Sequence, residues 1–196
     1  MTATPADSRY VPFTQQDYCC VPTCLQMVMY KLGIPLAPAE EIGYYLGLVV
    51  PPADKHLFYD PRVSEKRPIA GYGTRIYLPE FEPDAAFKNL GVPLRLTTKL
   101  IPEFTSADKL VATLRDVEAG DGNALLCFNH GVLVDDPARN YGHVVVFDRV
   151  VDEGLRIIDP SPFHPKWRTV PAEAMFKAMH AHGESRSAGV WLVERT

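Results

Sequence analysis

Apolar positions recur at helical spacing from residue 20 onward. Val21, Leu25, Val28 and Leu32 fall on one face, and Gly33 sits where a helix end is capped. This predicts a first helix over 20–32, in which Pro22 is tolerated because a first-turn N–H has no intrahelical acceptor. A second, short helix is predicted over Pro38–Leu46. From Pro51 to Pro79 the periodicity is lost. Pro51, Pro52, Pro61, Pro68 and Pro79, with the turn Gly71-Tyr72-Gly73, predict a loop of about thirty residues, a length usual for lids and binding loops.

Regular patterning then resumes. Asp84–Asn89 is predicted helical and closes at Gly91, Leu94–Leu100 reads as a strand, and Ser106 caps a helix with the stripe Leu110, Val111, Leu114 and Val117. Ala124–Asn129 is a short, nearly all-apolar run, expected as a buried strand. Val144–Val151 and Leu155–Asp159 flank a turn at Asp152-Glu153-Gly154, which predicts a hairpin. Pro171–His180 is predicted helical and Gly189–Arg195 a last strand. Helices first and antiparallel strands later predict an α+β domain rather than a doubly wound sheet.

Composition narrows the function classes. The chain has 196 residues, enough for a single domain over 1–196, and is 46% hydrophobic and 22% charged. Disorder and coiled coil are thereby excluded for the whole chain. Lys and Arg number 20 against 24 Asp and Glu, a net charge of −4, so no basic footprint for nucleic acid is expected. Met1–Tyr18 has no apolar core of a signal peptide, and the longest apolar stretch, Leu46–Pro52, is far short of the roughly 20 residues that cross a bilayer. The expectation is a cytoplasmic protein with no membrane partner. Nothing in the sequence sets its oligomeric state.

Four cysteines remain: Cys19, Cys20 and Cys24 lie within six residues and Cys127 stands alone, which is no disulfide framework. In Gln15-Gln16-Asp17-Tyr18-Cys19-Cys20-Val21-Pro22 a cysteine opens a helix, where the unpaired N–H groups and positive dipole end favour a thiolate. Those N–H groups, with a glutamine amide, would also receive an oxyanion. A nucleophile of this kind wants a base and an orienting partner. His143 precedes the Val144–Val151 strand and Asp159 closes the next one. A tight turn at Asp152-Glu153 sets Asp159 opposite Val146, three residues from His143, or roughly 10 Å along a strand. Twist, a bulge or side-chain reach has to close that gap.

Cys20-Val21-Pro22-Thr23-Cys24-Leu25 with Met27-Val28, then Gly142-His143-Val144-Val145-Val146, then Ile158-Asp159-Pro160, resembles the bacteriocin-processing (double-glycine leader) cysteine peptidases of the papain-like superfamily. The likeness covers about 13–34 and 123–167. It implies a papain-like α+β fold, in which the N-terminal helix carrying the nucleophile packs on a C-terminal antiparallel sheet. It implies Cys20 as nucleophile, His143 as general base and acid, and Asp159, sixteen positions on, as orienter. The family has Gly after the nucleophile where this chain has Val21, and an oxyanion Gln six positions before it where this chain has Thr14. Gln15 is taken for that role, with Gln16 the alternative. A weaker similarity, in Ile158-Asp159, Phe163-His164-Pro165-Lys166-Trp167 and Ala174-Met175, is to the phytochelatin synthases, which pass an acyl group to a thiol.

The expected function is a cysteine hydrolase acting on a peptide or small amide through a thioester, with no cofactor and no metal. Acyl transfer to a thiol or amine, and an inactive binding module, are the alternatives. Cys24 and Cys127 are expected in the core, and Cys19 competes with Cys20. A zinc site from the cysteines with His130 or His143 lacks two separated knuckles. His56, His164, His180 and His182 are expected at the surface, and Trp167 either covers the His–Asp pair or belongs to the core. The Pro51–Pro79 loop is the candidate lid.

Overall fold

In a computed structural model of the protein, which describes residues 5–196, the elements run in this order. Helices α1 (Cys20–Lys31) and α2 (Ala39–Tyr45) come first, followed by the short strands β1 (Val49–Val50) and β2 (Arg62–Val63). Then come α3 (Pro83–Leu90), β3 (Leu94–Leu100), α4 (Ala107–Ala119), β4 (Asn123–Asn129) and α5 (His130–Val134). Strands β5 (Gly142–Val151), β6 (Gly154–Ile158) and β7 (Trp167–Val170) follow, with α6 (Ala172–His182) and β8 (Gly189–Arg195) last. The six long strands form one sheet in the order β3-β8-β4-β5-β6-β7, antiparallel throughout.

Alternation along the strands sends side chains to two different cores. Leu125, Cys127, Val144, Val146 and Ile158 meet Cys24, Leu25 and Val28 of α1 on one face. Leu126, Phe128, Val145, Phe147 and Ile157 meet Leu110 and Leu114 of α4 and Met175 and Met179 of α6 on the other. The central strands β4 and β5 are apolar on both faces because helices cover both. Cys24 and Cys127 lie in these cores as expected, 0% and 4% exposed.

The hairpin departs from the expected register. Val150 pairs with Leu155 and Arg149 with Arg156, but beyond them Phe147 pairs with Ile157 and Val146 with Ile158. Asp148 is the extra residue of a β-bulge. Continuing the shifted register sets Asp159 opposite Val145 instead of Val146. The difference is decisive, because a one-residue slip turns a side chain to the opposite face. The bulge puts His143 and Asp159 on one face, as diagonal neighbours. Asp148 is fully buried and fastened there, accepting from the Arg9 backbone N–H at 2.9 Å and from Arg156 Nε at 2.6 Å.

Four elements, α5, β7 and the two-residue strands β1 and β2, were absent from the sequence-based expectation. The α5 turn follows β4 directly, capped by Asn129, whose Oδ1 accepts from the Val132 N–H at 3.1 Å. The β7 strand is a four-residue edge. The 51–79 segment is irregular as expected, but it is anchored. A 3-10 turn covers Pro52–Leu57, Val49 and Val50 pair in parallel with Arg62 and Val63, and Val49 bridges to Gly73. Phe58 closes a small cluster with Leu48, Val50 and Cys19.

Candidate active site

Cys20 is the first residue of α1, and the chain enters it through a tight turn. Tyr18 takes a left-handed backbone (φ 66°), and the Cys19 N–H donates to the Gln16 carbonyl at 3.0 Å. Such a conformation costs a tyrosine on the order of 1–3 kcal/mol and persists where its surroundings hold it. Here the hydroxyl donates to Asp54 Oδ2 at 2.5 Å and the ring packs between Phe58 and Tyr72.

The turn separates the two adjacent cysteines. Cys19 is fully buried, and burial, followed by the charges of Cys20, Glu40 and Asp17, pushes its thiol up to about 12. Cys20 is half-buried and lines a cleft of about 470 Å³ with Gln15, Tyr18, Tyr72, His130, Tyr141, His143 and Phe163. Val21, where the resembling family has Gly, is buried in the α1 core.

The imidazole of His143 pairs with Asp159, its Nε2 2.8 Å from Oδ1, and lines the same cleft as Cys20. Burial alone would push this imidazole down. Asp159, through its hydrogen bond and charge, and then the nearby Cys20 outweigh it and push it up to about 9. Asp159 is fully buried, and burial alone would raise its carboxyl. Bonds from His143 and the Ser161 N–H and the nearby Arg168 hold it well below the usual carboxylate range instead. Arg168 faces Ile157 across the β6–β7 pair and so falls on the same sheet face, reaching Oδ2 at 2.8 Å.

The glutamines separate as the cysteines do. Gln15 lines the cleft, its backbone N–H donates to the Pro160 carbonyl at 2.9 Å, and its Oε1 is buried without a partner. Gln16 is exposed and its Nε2 donates to the Leu57 carbonyl at 2.8 Å, at the outer segment.

Gly142 explains the Gly-His pair in steric terms. A Cβ there would stand 2.5 Å from Cε1 of His182, while the Gly142 N–H donates to the Ala70 carbonyl at 3.0 Å. A side chain at 142 would push α6 and the 67–73 segment off the strand that carries His143.

The histidine expectations divide. His56 and His180 are exposed as expected. His182 is 3% exposed, and burial followed by the Arg186 charge pushes it down to about 4. It is carried inward because α6 runs two residues past His180. His164 is half-buried and meets His130, Nε2 to Nε2, at 3.2 Å. Trp167 belongs to the core alternative: it packs on the α1 side, opposite Asp159, and its indole N–H donates to Ser8 Oγ at 3.0 Å. The residues that do surround the His–Asp pair are Arg168, Ser161, His130 and Phe128, none of them foreseen. Only the basic residue nine positions after Asp159 left any local signal. Among the described residues no cluster of three or more His, Cys, Asp or Glu is arranged to hold a metal ion, and no helix is long and apolar enough to cross a membrane.

No family model and no curated protein matches the chain. Among solved structures it is similar to the crystal structure of a "putative C39-like peptidase from Bacillus anthracis". The TM-score is 0.56 at 21% identity, over 95% of this chain and 96% of that one. The fold is papain-like. Mixed helix and antiparallel sheet, with a cysteine-bearing first helix on the sheet, fit that papain-like architecture from end to end.

Proposed function

We propose that the protein is a cysteine hydrolase that cleaves a peptide or small amide bond through a thioester on Cys20. The observation that carries this reading is the buried His143–Asp159 pair, 2.8 Å apart, with Cys20 beside His143 on the same cleft. Cys20 Sγ attacks the scissile carbonyl carbon, and the C=O electron pair moves onto oxygen. The Gln15 side chain and the Cys20 backbone N–H receive that oxyanion. Collapse breaks the C–N bond, and His143 gives its proton to the leaving amine. His143 then takes a proton from water, whose oxygen attacks the thioester, and the thiol is restored as the acid departs. Asp159 keeps the imidazole oriented and favours its charged form. Nothing in this sequence calls for a cofactor or a metal.

A peptide would lie between two lips of the cleft, the 67–73 segment carrying Arg67 and Tyr72 and the 160–164 turn carrying Phe163. The first segment is the part of the 51–79 loop that serves as the lid. Phe163 is 77% exposed at this rim, a surface for an apolar substrate side chain.

The test is incubation with a mixture of peptides of defined sequence, followed by mass spectrometry of both peptide and protein. Cleavage products, with an acyl mass on Cys20 after acid quench, are expected. Acyl mass on Cys20 whose release needs an added thiol or amine would assign acyl transfer instead. No product and no adduct with any peptide would leave a binding module.

A further inference from the structure

Beside the Cys20–His143–Asp159 chain stands a second set of rings that this chemistry does not use. His130 is 2% exposed, and its ring meets that of His143 edge-to-face at 5.0 Å and 73°. Behind it Tyr141 stacks at 5.2 Å and 18°, and the Arg67 guanidinium covers Tyr141 at 5.7 Å. Phe128 also meets the His143 ring edge-to-face, at 5.8 Å and 86°. The imidazole of His143 is therefore packed by two rings, His130 and Phe128, and His130 is backed in turn by Tyr141 and Arg67.

The placement of His130 is built, not incidental. Its backbone N–H donates to the Tyr141 carbonyl at 2.8 Å, and Asn129 caps the turn that starts with it. Asn129 in turn donates through Nδ2 to Asn140 Oδ1 at 2.7 Å, fixing the segment that carries Tyr141. Its charge state is set as well. Burial first, and then the imidazoles of His143 and His164, push His130 down to about 3, so it stays neutral where His143 is charged.

Its tautomer follows from the hydrogen bonds. Nδ1 is buried without a partner, and Nε2 lies 3.2 Å from His164 Nε2. A buried donor without an acceptor costs more than a bare lone pair, so the proton belongs on Nε2, donated to His164. His164 then carries its own proton on Nδ1.

We infer that His130 is a positioning residue for His143: a neutral aromatic wall that fixes the imidazole's plane between Asp159 and Cys20 and keeps water from the pair. The inference rests on the proposed hydrolase chemistry. A neutral ring 5.0 Å away leaves the charged form of His143 unopposed, whereas a second charged imidazole there would repel it. Water admitted beside the pair would screen the attraction between Cys20 and His143.

The test is the rate of Cys20 alkylation by iodoacetamide from pH 5 to 9, followed by peptide mass spectrometry. Wild type is compared with His130→Phe, His130→Ala and Tyr141→Ala, each first checked for cooperative thermal unfolding. Loss of the wall in His130→Ala is expected to lower labelling at pH 6 on the order of ten- to a hundredfold. His130→Phe, which keeps a ring, should restore most of it. Tyr141→Ala removes the outer ring without emptying the buried position, so it keeps the test decisive if His130→Ala does not fold. It should move labelling the same way by less. Equal labelling in His130→Phe and His130→Ala, or an unchanged Tyr141→Ala where the alanine variant is unfolded, overturns the role of His130 alone. Wild-type labelling with the pH profile of a free thiol overturns the hydrolase reading and this role together.

Discussion

Arg168 Nη1 lies 2.8 Å from Oδ2 of Asp159, on the carboxylate oxygen that His143 leaves free. Asp159 is thus fully buried between two cationic partners, with the Ser161 N–H on the oxygen that His143 uses. One carboxylate cannot turn toward Arg168 without turning away from His143, so the three side chains define one geometry.

Arg168→Gln removes the guanidinium and leaves Oδ2 buried with a weaker partner. The expected cost is about 2 kcal/mol, measured by urea unfolding, because a buried acceptor that loses its ionic partner bears its desolvation. Arg168→Lys should recover part of that loss, since it restores the charge without the planar fork. No change in the midpoint with Gln would show that the ion pair carries no stability.

The pH dependence of stability follows from His143. Its folded imidazole is raised above the ordinary 6.5 to about 9. The folded state therefore binds the proton more tightly than the unfolded chain. That stabilisation is complete below about pH 6.5 and is lost as pH rises through about 9. Asp159 has the opposite sign. Its carboxyl is held low, so its contribution is present above about pH 4 and is lost as acid protonates it. Unfolding free energy measured from pH 6 to 10 should fall by a few kcal/mol in wild type relative to His143→Gln. Parallel curves for the two proteins would contradict the paired state of His143.

The bulge residue Asp148 is expected to matter to stability rather than to the register of the site. Asp148→Ala leaves Arg156 Nε and the Arg9 N–H without their buried acceptor and should cost about 3 kcal/mol. Deleting Asp148 has a different result. It removes the extra residue and leaves Phe147 opposite Ile157 and Asp159 opposite Val145, still on the face of His143. Low-pH labelling of Cys20 should then survive in protein that remains folded, as judged by circular dichroism. Labelling lost in a folded deletion variant would contradict the register argument.

Elements with a long period were legible in the sequence. Leu94–Leu100 and Gly189–Arg195 are strands at the same residues that alternation marked, and α1 ends before Gly33, whose φ of 64° suits a glycine. The α5 turn was not legible. His130-Gly-Val-Leu-Val continues an apolar run and is too short for a helical period, and only its Asn129 cap reveals it. The bulge left one local trace, an aspartate inside Val144–Val151. The encounter of His130 with His143 left none, because it depends on β4 pairing with β5, Phe128 opposite His143. The order Cys20, His143, Asp159 was readable because each sits at the start or end of an element. What surrounds them is tertiary.

The two glutamines give a sharp contrast. With a substrate in hand, Gln15→Ala should lower kcat on the order of a hundredfold with little change in KM, the mark of a group that acts on the transition state. Gln16→Ala should leave both within about twofold, since Gln16 is exposed and bonded to Leu57. The reverse pattern would move the oxyanion role to Gln16.

The most direct test of the central claim is the alkylation rate of each cysteine between pH 5 and 9 in wild type and His143→Ala. Cys19, Cys24 and Cys127 are buried and should label slowly at every pH. Cys20 should label fastest, already at pH 6, and lose that advantage when His143 is replaced. Slow labelling of all four thiols in wild type, or fast labelling of Cys20 that His143→Ala leaves intact, would contradict the Cys20–His143 pair.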